Sequence, residues 1–271
     1  MSTVVDDGRM PLVEHLRELR NRLAKGLLAV TVGIVGAFFF WEPILEFLSA
    51  PYCDSAGSGN CALYAFGPLE QFAIRLKVSS MAGVLLSSPV WLYQLGAFIT
   101  PALHRKEKRY AGAFLLAALL FFLAGNVVAY LTLSKGLSFL LTVGGEGIVT
   151  LTSVKSYLNF VSLTLLSFGI AFLFPVVIVF LNVVGVLSAD RLRAWRRGMV
   201  VAIAAAAAVL TPSTDPYSFM AMAVPLYLLY EVCIVLARVH DRAAARRRAA
   251  QQDAQLDDDT PSYVDPTPSP L

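Results

Sequence analysis

Charge is what this chain has least of. Only 15% of its 271 residues are Asp, Glu, Lys or Arg, against 57% that are hydrophobic. A soluble domain has no need of uncharged runs long enough to cross roughly 30 Å of hydrocarbon, about 20 residues each, so a soluble globular fold is excluded. Histidine and cysteine are also scarce, at three each. Cys53 and Cys61 share a Gly/Ser/Asn-rich loop and Cys233 lies in an apolar run, while His15, His104 and His240 are remote from the loop, so no zinc-ligand set forms. In an oxidising compartment Cys53 and Cys61 would pair as a disulfide; otherwise they are two thiols. No G-x-x-x-x-G-K-[ST], G-x-S-x-G or H-E-x-x-H occurs, and no apolar run carries a histidine. Neither an enzyme nor a metal, cofactor or nucleic-acid site is expected. A cleavable signal is missing too: the first 22 residues are polar and no A-x-A-like site follows the first apolar run.

What is present is a series of apolar runs, with mean hydropathy +0.65. They predict an all-α integral membrane protein with six transmembrane helices, near residues 23–41, 76–99, 110–133, 156–187, 197–212 and 217–237. Residues 1–22 form a cytoplasmic N-terminal segment with an amphipathic helix, 23–238 the membrane domain, and 239–271 a disordered Ala/Arg-rich, then acidic, then proline-rich cytoplasmic tail. The uncharged run from Ser156 to Ala189 is longer than a bilayer requires, so the fourth span tilts, protrudes or kinks at Pro175. Thr211 to Pro216 (T-P-S-T-D-P) divides the last apolar stretch into either a re-entrant hairpin or two short spans. With both termini in the cytoplasm, all of the 22 lysines and arginines except Arg75, Lys77, Lys135 and Lys155 fall inside. That bias sets the expected orientation.

The stretch Pro11 to Leu23, P-L-V-E-H-L-R-E-L-R-N-R-L, places Leu12, Leu16, Leu19 and Leu23 on one apolar stripe, beside a polar face of Glu14, Glu18 and Arg22. Such a helix can lie flat in the inner interface of a bilayer as a solvated anchor. Glu18 and Arg22 are an ordinary (i, i+4) pair. Glu14 and Glu18 are also four apart, and two carboxylates on one face repel unless a cation joins them.

Several segments taken in order resemble the TatC family, the multispanning receptor of twin-arginine protein translocation. They are H-L-R-E-L-R-N-R-L (His15 to Leu23), S-A-P (Ser49 to Pro51), S-P-V-W-L-Y-Q-L-G-A-F-I-T-P-A-L (Ser88 to Leu103) running into H-R-K-E-K-R, F-G-I-A-F-L-F-P (Phe168 to Pro175) and L-T-P-S-T-D-P (Leu210 to Pro216). The resemblance implies a core receptor subunit of the bacterial cytoplasmic membrane. Such a subunit binds the twin-arginine signal peptides of folded cargo and exports that cargo with the protonmotive force. It works with TatA- and TatB-like single-span partners and self-associates in a multi-copy complex.

By the same resemblance Glu18 and Glu107 match the family's two signal-recognition carboxylates, and Arg20 and Arg22 its basic positions in the same helix. An arginine fork pairs with a carboxylate through two parallel bonds and stays charged, which a lysine cannot reproduce. Gln94 and Phe98 also fall on signal-binding positions of the family, while Pro51, Tyr130 and Asp215 fall on positions of structural or partner contact. There is one departure. Leu173 stands where the family usually carries an intramembrane acid associated with partner helices, and Thr211 or Asn182 is a candidate substitute.

The alternative is a secondary transporter of a small solute, which would place ionisable groups along a midplane path. Here Asp215 and Glu231 sit near span ends, and Gln94, Asn126, Asn159 and Asn182 are the strong polar groups within the spans. A membrane scaffold without transport is a third reading.

Overall fold

The computed structural model describes residues 12–56, 63–99, 108–143, 152–211 and 215–258. Among them lie α1 (Leu12–Phe39), α2 (Trp41–Ala56), α3 (Pro68–Leu86), α4 (Ser88–Ile99), α5 (Lys108–Val143), α6 (Val154–Val183), α7 (Ala189–Ala194), α8 (Arg196–Leu210) and α9 (Pro216–Asp258). No strand occurs among the described residues; an isolated parallel bridge pairs Tyr64 with Ser153. Tyr64 N–H donates to the Thr152 carbonyl at 3.2 Å, and Val154 N–H to the Tyr64 carbonyl at 3.1 Å. This bridge ties the segment before α3 to the start of α6.

The described residues are all-helical, and among them four helical stretches are long and apolar enough to cross a membrane: Leu16–Phe39, Gly112–Leu140, Val154–Val183 and Pro216–Arg247. α3 and α4 together make a fifth candidate, bent by 53°. The sequence reads 76–99 as one span; the break falls at Ser87, just before Ser88-Pro89. Proline has no N–H to donate, and its ring crowds the carbonyl four residues back, that of Leu85 in the last turn of α3. The carbonyl of Val84, left open at the break, is taken by the indole Nε1–H of Trp91 at 3.0 Å. α8 has 15 residues, about 22 Å at 1.5 Å per residue, and falls short of the hydrocarbon thickness.

Two further boundaries differ from the sequence reading. The charged segment before Leu23 is not a separate flat-lying helix but the first turns of α1, which runs unbroken to Phe39. Arg22, Leu23, Ala24 and Lys25 are good helix formers with no cap or proline among them to end it. Residues 239–258, read as disordered, continue α9 to Asp258. Their Ala, Arg and Gln residues carry the strongest helix propensities, and no Gly or Pro interrupts them. The remaining tail, 259–271, and the 212–214 turn lie outside the described residues.

α6 runs through Pro175 to Val183. It ends because Gly185 adopts φ 84°, the left-handed conformation that closes helices, with Val186 N–H returning to the Leu181 carbonyl at 2.9 Å.

At the centre α5 and α6 pack along each other; α1 lies on α3 and α4, α2 on α5, and α9 on α6, with α8 on α9. A Cβ on Gly125 would sit 2.6 Å from the Phe168 carbonyl oxygen, so the α5–α6 crossing requires glycine there. The distribution of side chains is that of a membrane protein: Leu27, Val32, Leu131 and Val224 face outward, while Ser79, Asn126, Thr164, Ser167 and Asn182 are buried. Lipid tails are as apolar as leucine, so helix association relies on close packing and polar contacts rather than on exclusion of oily groups from water.

Candidate functional site

The first turns of α1 carry Glu18 and Arg22, one helical turn apart. Arg22 donates from Nε at 2.9 Å and from Nη2 at 2.5 Å, both to Oε1 of Glu18. Both side chains are about three-quarters buried, with 24% exposure for Glu18 and 26% for Arg22. They are the charged groups lining a cavity of about 780 Å³, whose other walls come from α4 (Leu92, Tyr93, Gly96), α5 (Phe114, Leu115) and α6 (Leu173, Val177, Phe180). The result is a charged patch on an otherwise apolar hollow. Away from bulk water a carboxylate there attracts a cation more strongly than it would on an open surface.

The structure thus brings Glu18, Arg22 and Leu173 to one cavity. It does not bring Arg20, Gln94 or Phe98 to its wall: Arg20 is exposed on another flank of α1, and Gln94 and Phe98 are half-buried on α4 beside the lining residues. Glu107 lies outside the described residues; in the chain it immediately precedes Lys108, the first residue of α5. Leu16, Leu19 and Leu23 are exposed, as an apolar stripe in contact with lipid would be.

The other predicted residues gather elsewhere. Pro51 is buried inside α2. That helix is held by the Tyr130 hydroxyl, which donates to the Phe47 carbonyl at 2.9 Å, and by the Tyr157 hydroxyl, which donates to the Leu48 carbonyl at 2.5 Å. The Tyr130 ring stacks on Phe47 with centroids 4.6 Å apart, and the Ser55 hydroxyl donates to the Ser134 carbonyl at 2.8 Å. Asp215 is buried and caps α9, accepting the Ser218 N–H at 2.6 Å. It lies near Gly136 of α5, where an added Cβ would be 3.7 Å from its carboxylate. Thr211, also buried, turns its hydroxyl back to the Ala207 carbonyl at 2.8 Å and ends α8. Tyr130 and Phe114 are 16 residues apart on α5, about 24 Å. This cluster therefore sits far along α5 from the cavity.

Cys53 is disulfide-bonded; its expected partner, Cys61, lies outside the described residues. Cys233 is a free thiol, buried, donating to the Pro175 carbonyl at 3.4 Å.

Several polar contacts escaped the sequence reading. Asp241, placed in the tail, accepts the Ala189 N–H at 2.8 Å and the Asn182 side-chain amide at 3.0 Å. Arg196 of α8 pairs with Glu231 of α9, and the Tyr227 hydroxyl donates to the same carboxylate at 3.1 Å. The Arg75 guanidinium lies over the rings of Phe38 and Trp41, 4.4 and 5.2 Å from their centroids. An acid four residues after Ala237, the end of an apolar run, was the available signal for Asp241; the Ala/Arg composition around it concealed the helix.

The profile described as Sec-independent protein translocase protein (TatC) matches residues 14–225. The chain belongs to the TatC family. It is 46% identical over 271 residues to the Sec-independent protein translocase protein TatC of Frankia casuarinae, covering 96% of this chain and 74% of that one. It is 35% identical over 264 residues to the TatC of Desulforapulum autotrophicum, covering 94% of this chain and 97% of that protein. A crystal structure described as twin arginine translocase receptor TatC superposes with a TM-score of 0.69 at 36% identity, covering 83% of this chain and 98% of that one. As a TatC-family member with several apolar helices, the chain is a multi-pass membrane protein of the kind found among bacterial translocase components.

Proposed function

We propose that this TatC-family chain is the receptor subunit of a twin-arginine translocase. In this reading it binds the paired arginines of a signal peptide on folded cargo at the cytoplasmic face, with Glu18 and Glu107 as the recognising carboxylates. It then exports that cargo across the cytoplasmic membrane together with TatA- and TatB-like single-span partners and further copies of itself, using the protonmotive force. Six spans with both termini inside complete the reading, with α8 and the first half of α9 as the two short final ones.

The observation that carries the proposal is the state of Glu18. It lines an apolar cavity and already holds a guanidinium, that of Arg22, through one of its two oxygens. A carboxylate so placed suits an arginine fork, which can engage both oxygens side by side. The apolar wall beyond it suits the apolar residues of a signal segment. Binding of a twin-arginine peptide to the purified protein tests this. Glu18→Ala and Glu107→Ala are each expected to weaken binding by tenfold or more, about 1.4 kcal/mol, and unchanged affinity in both variants would reject the assignment.

A further inference from the structure

One face of α9 passes from apolar to basic, with Glu231 at its edge in an ion pair with Arg196. Val224, Leu228, Val235, Val239, Arg242 and Arg246 follow one another at spacings of four, seven, four, three and four. At 100° per residue all six fall within about 60° of arc. The four apolar members are at least half exposed, Val239 by 62%, and both arginines are exposed. The opposite flank, with Tyr230, Ile234 and Ala237, is buried against the protein. The arginines therefore stand directly in line with the side chains that meet lipid, not with those that meet the rest of the fold.

We propose that this face is a docking strip for an anionic phospholipid, with an acyl chain along Leu228, Val235 and Val239 and the headgroup phosphate on Arg242 and Arg246. Among the described residues neither arginine has an ion-pair partner. The neighbouring acids are committed elsewhere: Asp241 to the Ala189 N–H and the Asn182 amide, Glu231 to Arg196 and Tyr227. From Val239 to Arg246 the helix rises about 10 Å. That is comparable to the headgroup layer beyond the hydrocarbon once the arginine stems reach back toward it. Arginine forks a phosphate through two bonds, and basic residues just beyond a spanning helix draw anionic lipid. Continuity with the lipid-facing valines favours a lipid over a soluble partner, because an acyl chain covers the apolar half of the strip while its headgroup meets the basic half.

Lipid retention by the purified full chain in neutral detergent, read by native mass spectrometry, tests the proposal. Phosphatidylglycerol and phosphatidylcholine of identical acyl chains are offered separately, with inorganic phosphate as a third arm. The wild type is expected to retain phosphatidylglycerol about 25-fold better than phosphatidylcholine, at roughly fivefold per arginine. Arg242→Gln with Arg246→Gln removes most of that preference, while Arg242→Lys with Arg246→Lys, the same fold with charge retained, keeps the greater part. A Gln pair with the wild-type preference overturns the strip. So does full displacement of the lipid by equimolar inorganic phosphate, since a free anion would then suffice.

Discussion

Asp241 of α9 grips Asn182 at the end of α6: its Oδ1 accepts the Asn182 side-chain amide at 3.0 Å, while Oδ2 takes the Ala189 N–H at 2.8 Å. The same Asn182 Nδ2 also donates to the Leu187 carbonyl at 2.8 Å. One carboxylate thus fixes the turn that launches α7 and α8. Asp241→Ala leaves the buried Asn182 amide and the Ala189 N–H short of an acceptor, at a cost of about 1–3 kcal/mol. The expected outcome is an apparent melting temperature lower by several degrees in detergent, at about 2–4 °C per kcal/mol for a chain of this size. Asp241→Asn keeps one acceptor oxygen and should recover part of the loss.

The α5–α6 crossing makes a sharper demand. Gly125→Ala would place a Cβ 2.6 Å from the backbone oxygen of Phe168 and 2.9 Å from the Phe172 Cβ. Backbone cannot swing aside as a side chain can, so the helices must separate, at about 1–3 kcal/mol. Gly112→Ala, on the same helix with nothing within 4 Å, is the comparison. Thermal unfolding of both variants should show a loss for Gly125→Ala and a neutral or slightly raised midpoint for Gly112→Ala.

Leu173 and Leu165 lie on the same helix, but Leu173 lines the cavity whereas Leu165 is 4% exposed in the core. A carboxylate at Leu173 faces open volume that water can enter, and one at Leu165 meets packed side chains with nothing to solvate it. Leu173→Glu is therefore expected to elute as a monodisperse peak in detergent gel filtration, and Leu165→Glu to aggregate or fail to accumulate. Equal tolerance of both would contradict the placement of the cavity.

How much of this was legible in the sequence follows from which forces act locally. The apolar runs and the pairing of Glu18 with Arg22 depend on residues a few positions apart, and hydropathy or helical spacing exposes them. The 53° bend at Ser87 was signalled by Pro89, yet hydropathy alone spans the break without noticing it. The α9 extension was misread because an Ala/Arg-rich segment is compositionally similar to a disordered one; helix propensity separates them only when summed over many residues. The site was legible as a set of residue types, not as a place. That Leu173 shares a cavity with Glu18, and that Tyr130 and Asp215 lie far along α5 from it, depends on how α1, α4, α5 and α6 meet. No spacing along the chain encodes that.

In the proposed function Glu18 reads an arginine. A double-mutant cycle between the protein and a twin-arginine peptide tests this, comparing peptides with two arginines and with two lysines on the wild type and on Glu18→Gln. The wild type should lose tenfold or more in affinity when the arginines become lysines, about 1.4 kcal/mol, and Glu18→Gln should lose severalfold less. An equal loss in both proteins would mean that the arginines are recognised somewhere other than Glu18.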